Sequence, residues 1–316
     1  MDMRQTQHNH TLHHLAPDAR EWELVIAQFT MIIQQQQGRA LASWVAERLR
    51  DLTHHSHGIL ARHGDELQGM VLYEISDNSA ELSIPWSIAN NAALHSDMLT
   101  AAVQDINLKH PTVCFIRAER QLFPDYASAI GMPEAGFACH WRQRMLLNMP
   151  AHLPEYPLPT GYHYAPWNIR DLDAVAAVVF TANQGTLDAL LYRPFFGESP
   201  MECRHGLLSI LAGRYGPLHT RATSAIFFER LLVGISLVLD DDVSKASIVE
   251  ISIAPAHQQR GLGKALLTHS LRILQNQHVE SVELAVTKDN LPAIRLYQSL
   301  GFAASGDFPV CIYEGI

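Results

Sequence analysis

The chain has 316 residues and a hydrophobic content of 47 %, which is comfortable for two domains with sizeable cores. Its net charge is −9, and only four of its residues are lysines. Because neutralising nucleic-acid phosphates needs clustered Lys and Arg, this balance argues against a nucleic-acid partner. The acidic charge is compatible with a cationic amine as substrate, although solubility alone explains it equally well.

The cysteines and the apolar runs bear on the compartment. Cys114, Cys139, Cys203 and Cys311 are isolated and widely spaced, so the sequence suggests neither a zinc site nor a disulfide framework. No apolar run reaches about 18 residues, and the N-terminus lacks an apolar signal region. We therefore expect a protein of the reducing cytoplasm, with no metal and no membrane contact. The sequence indicates no oligomeric state.

The chain begins with a histidine-rich stretch, residues 1–19, which carries His8, His10, His13 and His14. Four histidines in a short segment are compatible with a metal site. A polar composition of this kind more often marks a disordered tail, and that is our interpretation of the stretch.

Residues 20–150 show the pattern of one domain with helices and strands. Helical periodicity covers residues 39–52 and 95–108. Short apolar runs predict strands at 58–61, 69–74, 81–85 and 113–118.

Residues 151–166 contain four prolines and no helical periodicity, which predicts a linker or an extended connecting strand. The second domain, residues 167–316, opens with helical patterns at 171–180 and 200–215. Strands are predicted at 224–228, 232–239 and 247–254.

Three adjacent carboxylates, Asp240, Asp241 and Asp242, follow the second of these strands. Consecutive side chains on a turn seldom converge on one cation. We therefore interpret the three residues as a solvated turn rather than a cation site.

A glycine-rich loop, Gln258-Gln259-Arg260-Gly261-Leu262-Gly263, follows the strand at 247–254. Glycines at this spacing let the backbone pass close to a bulky ligand. The loop opens a helix, residues 263–274, whose first N–H groups face outward with partial positive charge and suit a phosphate. A P-loop is excluded because that motif needs Ser or Thr at the position of Ala265. A dinucleotide-binding fingerprint is excluded because that motif needs a third glycine at the position of Leu266.

A second motif lies downstream of a predicted strand at 282–286: Asn290, Ala293, Tyr297, Gly301 and Phe302 follow at fixed spacing. Taken with the loop, in this order and separation, the motif resembles the GNAT superfamily of acyl-CoA-dependent N-acetyltransferases. The likeness covers roughly residue 162 to the C-terminus. It implies an α/β (α+β) fold in which a mixed, mainly antiparallel sheet is flanked by helices.

Residues 20–150 repeat this order of elements faintly, so we predict two tandem GNAT-like domains. The N-terminal copy lacks the glycine loop, because Trp86, Ser87 and Ile88 follow its third strand instead. It also lacks the Asn…Tyr motif before its own Gly136-Phe137. We predict a degenerate N-terminal domain with a structural or substrate-shaping role.

The resemblance implies acetyl-CoA (coenzyme A) as cofactor. Backbone N–H groups of residues 260–264 would bind the pyrophosphate, and the amide of Ile253 would polarise the thioester carbonyl. Asn290 would hydrogen-bond the pantetheine arm, and it also suits a helix N-cap. The predicted cofactor contacts are Ile251, Ser252, Ile253, Gln258, Gln259, Arg260, Gly261, Leu262, Gly263, Lys264, Asn290 and Ala293.

Two catalytic residues are predicted. Tyr297 matches the family's general acid, whose hydroxyl faces the thioester sulfur; the alternative is a packing tyrosine on the last helix. Glu250 is the best candidate for the general base, because strand alternation puts it on one face with Ser252, opposite Val249, Ile251 and Ile253. Glu283, on the next strand, is the alternative base.

Acceptor specificity in the family lies in the first two helices and the loop between them, here residues 182–199. The sequence Tyr-Arg-Pro-Phe-Phe within it suits a pocket lining or a loop anchor. The predicted substrate-binding residues are Asp188, Tyr192, Arg193 and Phe196.

The function implied is transfer of an acetyl group from acetyl-CoA to a primary amine of a small molecule or peptide, by direct attack in a ternary complex. Two alternatives stay open. One is a non-catalytic acyl-CoA-binding or sensing module, and the other is a protein lysine or N-terminal acetyltransferase.

Overall fold

The structure is a computed structural model that describes residues 10–124, 126–166 and 168–315. The described chain forms two compact units. Unit 1 comprises Met1–Trp141 and Phe308–Ile316, and unit 2 comprises Arg142–Asp307. The boundary therefore precedes the proline-rich residues 151–166, and the C-terminal residues belong to unit 1.

Unit 1 contains a six-stranded path with helices between its strands. Its elements are β1 (Thr11–Leu15), α1 (Trp22–Gln37), α2 (Arg39–Thr53), β2 (His57–His63), β3 (Glu66–Ser76), β4 (Ser79–Ser83), β5 (Trp86–Ser87), α3 (Ala92–Lys109), β6 (Phe115–Arg120) and the start of β7 (Phe137–Asn148). The strand order is β1-β2-β3-β4-β6, and residues Cys311 and Ile312 of the C-terminal segment pair with β6. The β4–β6 pair is parallel and the other pairs are antiparallel.

Apolar residues at helical spacing pack both faces of this sheet. In α1 the buried residues Val25, Ile26, Phe29 and Ile33 recur every three or four positions, so they form one stripe. That stripe and the buried face of α2 cover Leu60, Met70 and Leu72. On the opposite face, α3 packs over inward-facing residues of β2, β3, β4 and β6.

Two sequence-based expectations for unit 1 are wrong. Residues 11–15 of the predicted disordered tail form β1, because main-chain pairing with β2 from Thr11↔Arg62 to Leu15↔Gly58 orders them. His10, His13 and His14 lie in or beside this strand, whereas His8 lies outside the described residues. The expectation of no disulfide also fails, because Cys139 and Cys311 are bonded. The two cysteines are 172 residues apart in the sequence, but their strands bring the Cα atoms within 4.0 Å of each other.

Unit 2 repeats the architecture. Its elements are the rest of β7, then β8 (Tyr162–Ala165), α4 (Leu172–Asn183), α5 (Leu187–Leu191), α6 (Arg193–Phe196), α7 (Pro200–Leu211), β9 (Ser224–Phe228), β10 (Leu231–Asp242), β11 (Lys245–Ile253), α8 (Leu262–Asn276), β12 (Ser281–Thr287), α9 (Leu291–Gln298) and the start of β13 (Ala303–Tyr313). The strand order is β7-β12-β11-β10-β9-β8, with β11–β12 parallel and the other pairs antiparallel.

The sheet of unit 2 lies between two helical layers. On one face, Leu267, Leu271 and Leu274 of α8 pack over β7, β10, β11 and β12. On the other face, α4 and α7 pack over β9 and β10. The predicted mixed, mainly antiparallel sheet flanked by helices is confirmed in both units.

Two local expectations for unit 2 need correction. Asp240, Asp241 and Asp242 end β10 rather than forming a turn, because the hairpin to β11 closes two residues later, at Val243 and Ser244. The expected loop at 182–199 contains α5 and α6, since Thr186 caps α5 and Pro194 suits the first turn of α6. Among the described residues, no helix has both the length and the apolar composition to cross a bilayer.

Candidate active site in unit 2

The site begins with a bulge in β11. Glu250 pairs with Leu237 and Ile248 pairs with the next residue of β10, so Val249 is an extra residue between them. The parallel pairing of β11 with β12 runs only from Lys245↔Ser281 to Ile248↔Leu284, although both strands continue. Beyond the bulge, β11 therefore leaves β12, and a gap opens between the two strands.

Backbone groups of β11 point into this gap. The N–H of Ala254 donates to the carbonyl of Val233 in the β10 strand at 2.8 Å. Successive residues of a strand point their N–H and C=O groups to opposite sides, so those of Ile253 point towards β12. Its carbonyl accepts a 3.0 Å hydrogen bond from Nε2 of Gln258, which draws the glycine loop back over the strand.

The glycine loop has an unusual backbone. Gln259 has φ +60° and Gly261 has φ +76°, both in the left-handed region that only glycine adopts freely. Leu262 anchors the loop, because it is only 1 % exposed and packs with Leu266 in the core. Gln258, Gln259 and Arg260 are exposed. The loop backbone is therefore held in a shape that few sequences support.

The N-terminus of α8 suits an anion. Its N-cap is Gly261, which provides no side-chain cap, and its first turn contains no acidic residue. The first N–H groups are thus left for an external acceptor. A Cβ on Gly263 would lie 3.7 Å from the side chain of Leu296 and 4.0 Å from that of Ile253, so the protein itself leaves this position open. Lys264 adds a positive charge in the same turn.

Glu250 lies on the sheet face below the gap, in a set of polar side chains. The hydroxyl of Ser252 donates to its Oε1 at 2.6 Å, and Nδ2 of Asn183 lies 3.5 Å from the same oxygen and 3.1 Å from the Ser252 hydroxyl. Burial raises the pKa of Glu250 to about 7, and the negative charge of Asp188 adds to the rise. Hydrogen bonds from Ser252 and Asn183 and the charge of Arg142 oppose it.

Asp188, on α5, joins the helical layer to the end of β12. Its Oδ1 accepts a 2.7 Å hydrogen bond from the hydroxyl of Thr287 and lies 3.7 Å from Nη2 of Arg142. The Arg142 guanidinium also lies 4.7 Å from the centre of the Tyr192 ring and donates to the carbonyl of Ala285 at 2.8 Å. This contact set fixes α5 over the splayed end of β12.

Tyr297, on α9, interacts electrostatically with Glu250, Asp188 and Arg142. Burial raises the pKa of its hydroxyl, and the negative charges of Glu250 and Asp188 raise it further. Its ring packs at 6.0 Å from Phe302 and contacts the core below α8. Asn290 is the N-cap of α9, where its side chain accepts from the N–H of Ala293 at 3.2 Å.

The remaining predicted substrate residues, Arg193 and Phe196, make other contacts. Arg193 forms an exposed ion pair with Glu198. Phe196 is 5 % exposed and packs in the core between α4 and α7, where it also lines a pocket of about 180 Å³. Glu283, the alternative base, lies 3.8 Å from Nε of Arg144, and no contact joins it to Glu250 or Tyr297 among those of the described residues.

Three residues of the set were not found from the sequence: Arg142, Asn183 and Thr287. Arg142 precedes the proline-rich segment by several residues, and only the antiparallel pairing Thr287↔Arg142 brings it to the site. Asn183 ends α4, and its position over β11 depends on helix packing. A polar residue at a helix end and another at a strand end are the only sequence signals these positions carry.

In unit 1 the strand pair and the helix start that correspond to the gap and the glycine loop of unit 2 are closed. There β4 remains paired with β6 through Ser83↔Arg120, and the N–H of Ile84 continues the ladder to the carbonyl of Arg120 at 2.7 Å. Trp86 is buried and packs edge-on against Phe29 at 4.5 Å. The first turn of α3 is capped by Asn91, whose side chain accepts from the N–H of Leu94. The described residues of unit 1 therefore have neither a strand gap nor an uncapped helix start at these positions.

Comparison with known proteins gives a family for unit 2. Residues 215–302 match the family model described as "Acetyltransferase (GNAT) family". The chain is 28 % identical over 249 residues to a mycothiol acetyltransferase of Pseudarthrobacter chlorophenolicus, covering 76 % of this chain and 72 % of the relative. It is 41 % identical over 66 residues to the [Ribosomal protein bS18]-alanine N-acetyltransferase of Escherichia coli K12. That match spans 21 % of this chain and 42 % of the relative's length.

Solved structures match the fold over nearly the whole chain. A GCN5-related N-acetyltransferase from Sphaerobacter thermophilus aligns with a TM-score of 0.65 at 15 % identity, covering 95 % of both chains. A tandem GNAT protein from the clavulanic acid biosynthesis pathway aligns with a TM-score of 0.54 at 15 % identity, covering 96 % of this chain and 98 % of the other. The predicted tandem arrangement and the resemblance are confirmed.

Proposed function

We propose that this chain, which belongs to the GNAT acetyltransferase family, is an acyl-CoA-dependent N-acyltransferase that works in unit 2 alone. It would transfer an acetyl group from acetyl-CoA to a primary amine of a small molecule or peptide, in a ternary complex. The observation that carries the proposal is the gap between β11 and β12. A glycine loop with a free helix start borders it on one side, and Glu250 and Tyr297 are coupled beneath it.

The loop fits a pyrophosphate. A bulky anion can approach the start of α8 closely, because no side chain caps the first N–H groups of the helix. The left-handed Gly261 and the open position at Gly263 leave room for it. Acetyl-CoA would supply the thioester and would lay its pantetheine arm in the gap. Residues 260–264 would hold the phosphates through backbone N–H groups, with Lys264 adding charge. Ile251, Ser252 and Ile253 would line the arm.

The amide of Ile253 would polarise the thioester carbonyl. Its N–H points into the gap, and an N–H fixed by a strand needs no reorganisation when negative charge develops on the carbonyl oxygen. A single fixed donor of this kind stabilises the transition state by about 3 kcal/mol.

Glu250 would take a proton from the acceptor amine, directly or through one water. A pKa of about 7 suits a general base at neutral pH, because the group is substantially ionised and still basic enough to hold a proton. Asn183 and Ser252 would fix the orientation of its carboxylate.

Tyr297 would protonate the leaving thiolate. The raised pKa of its hydroxyl keeps the proton on oxygen at all physiological pH values, so a donor is always present. After the amine attacks, the nitrogen proton passes to Glu250 and the hydroxyl proton of Tyr297 passes to sulfur. The bond between the carbonyl carbon and sulfur breaks, which gives an amide and a free thiol. Return of the Glu250 proton to the tyrosinate through solvent restores both residues.

The acceptor would be a cationic amine. Two carboxylates, Glu250 and Asp188, act on the site against one guanidinium, that of Arg142. A site with excess negative charge attracts an ammonium group, which loses one proton to solvent before the neutral amine attacks. The two relatives are named as acetyltransferases of mycothiol and of alanine in ribosomal protein bS18, and these names support an amine acceptor without choosing between a small molecule and a protein.

Unit 1 would be degenerate and would bind no cofactor. Its β4–β6 ladder stays closed, Trp86 fills the position of the glycine loop, and Asn91 already caps its helix. Its role would be structural or substrate-shaping.

The Tyr297→Phe variant tests the proposal. The loss of the proton donor should lower kcat about 100-fold with an amine acceptor while the Kd for acetyl-CoA, measured by calorimetry, stays within about twofold. A chain that binds acetyl-CoA but acetylates no amine, with or without Tyr297, would instead be a sensing module.

A further inference from the structure

The proline-rich residues 150–162, which we call the strap, run along α8 inside unit 2. At the C-terminal end of the helix, Nε2 of Gln275 donates to the carbonyl of Pro150 at 2.5 Å. One turn earlier, Arg272 is ion-paired with Glu155. Leu153 then packs on the core beneath the helix. The strap therefore runs from the end of α8 towards its N-terminus, where the glycine loop lies.

Two tyrosines of the strap contact the two ends of the glycine loop. The ring of Tyr156 lies 4.4 Å from Nζ of Lys264, in the first turn of α8. The hydroxyl of Tyr162 shares a 2.9 Å hydrogen bond with Nδ1 of His257, the residue before the loop. One contact follows the loop and the other precedes it, so the loop is bracketed.

The chain between these tyrosines is fixed to the same core. Leu158 packs against the small apolar cluster that contains Leu262, the anchor of the loop. Gly161 has φ +88°, and a Cβ there would lie 2.9 Å from the Phe228 ring. Only glycine therefore lets the strap reach Phe228, whose ring packs at 4.9 Å from Tyr162 and at 5.5 Å from His257.

The loop needs such support. Gln259 is a non-glycine residue with φ +60°, a strained conformation that persists only where the surroundings hold it. A loop fixed before its ligand arrives avoids the entropy of ordering upon binding.

We propose that Tyr156 and Tyr162 are positioning residues that hold residues 257–264 in the phosphate-binding conformation. Tyr156 acts on the ammonium group of Lys264 through a cation–π contact, and Tyr162 acts on the start of the loop through His257. The role assigned to the phosphates rests on the proposed function, whereas the effect on the loop does not.

The experiment uses the full chain with four substitutions. Tyr156→Leu removes the aromatic face and Tyr156→Phe retains it. Tyr162→Phe removes one hydroxyl and keeps the ring packing. Tyr215→Leu, at an exposed tyrosine of the same unit, is the control. Calorimetry gives the Kd for CoA, and hydrogen exchange of the ligand-free proteins gives the protection of amides 258–264.

Tyr156→Leu and Tyr162→Phe should each weaken CoA binding about fivefold and speed exchange in the loop, with midpoints of thermal unfolding close to that of the unmodified chain. Tyr156→Phe and Tyr215→Leu should match the unmodified chain in both measurements. Unchanged affinity and unchanged exchange in Tyr156→Leu and Tyr162→Phe would overturn the proposal. If the unmodified chain binds no CoA, the proposed function fails, and loop exchange alone still decides whether the strap positions the loop.

Discussion

The hydroxyl of Ser252 donates a 2.6 Å hydrogen bond to Oε1 of Glu250, the residue two positions earlier on β11. The bulge at Val249 ends just before this pair, so Glu250 and Ser252 share one sheet face below the gap between β11 and β12. The hydrogen bond favours the ionised carboxylate, but burial outweighs it and leaves the pKa near 7. Three predictions depend on this balance.

The Glu250→Gln variant should lose activity. Without a proton acceptor, kcat/KM should fall about 100- to 10,000-fold, while the Kd for acetyl-CoA changes little. The activity of the unmodified chain should rise with pH through a single ionisation near 7, as the base becomes ionised. Glu283→Gln is the matched control, since Glu283 pairs with Arg144 on β7. Loss of activity in Glu283→Gln with full activity in Glu250→Gln would reverse the assignment of the base.

The same substitution should change how stability depends on pH. A carboxyl whose pKa is raised on folding contributes stability that is full below the unfolded pKa of 4.5 and is lost as pH rises through about 7. Glutamine removes this ionisation. The free energy of unfolding of Glu250→Gln, minus that of the unmodified chain, should therefore be about 1–3 kcal/mol larger at pH 8 than at pH 5. The variant thus gains stability relative to the unmodified chain as the pH rises. Urea denaturation at the two pH values measures the difference, and a difference of zero would mean that Glu250 is solvated like a surface carboxylate.

Asp188→Asn should shift the pH profile. The negative charge of Asp188 raises the pKa of Glu250, so its removal should move the midpoint of the activity profile to lower pH, by roughly half a unit. The KM for the amine should also rise, because one of the two carboxylates facing the site is gone. Glu198→Gln, in the separate ion pair with Arg193, should leave both quantities unchanged. A shift to higher pH would show that Asp188 acts mainly through Arg142.

The Cys139–Cys311 disulfide should stabilise unit 1, because it fixes the C-terminal segment to β7. Replacing both cysteines with serine should lower the free energy of unfolding by about 2–4 kcal/mol. Dithiothreitol should have a similar effect on the unmodified chain and none on the double variant. Cys114→Ser, at an exposed free cysteine, is the control. Denaturation curves that do not respond to dithiothreitol would show that the bond contributes nothing to stability.

The sequence predicts the fold class and the family because both depend on local patterns. The period of apolar residues places α2, α3, α4, α7 and α8 close to their observed bounds, and the spacing of glycines marks the start of α8. Alternation correctly puts Glu250 and Ser252 on one face. It does not reveal the extra residue at Val249, because a bulge depends on the partner strand.

What the sequence does not predict depends on contacts between distant segments. Arg142 reaches the site through β7, and Asp188 reaches Thr287 through the packing of α5. The bond between Cys139 and Cys311 requires strand pairing that no spacing rule indicates. The proline-rich segment gives no apolar periodicity, yet Leu153, Tyr156 and Leu158 pack along α8 because prolines keep it extended.

The central claim is that one working cofactor site lies at the glycine loop of unit 2, and calorimetric titration with acetyl-CoA tests it most directly. We predict one site per chain, abolished by Gly263→Glu. The added side chain has room in the protein, and a carboxylate in the first turn of a helix does not destabilise it, but its charge repels phosphate. Ile88→Glu, in the corresponding loop of unit 1, should leave the single site intact. Two sites, a site that survives Gly263→Glu, or no binding at all would contradict the account.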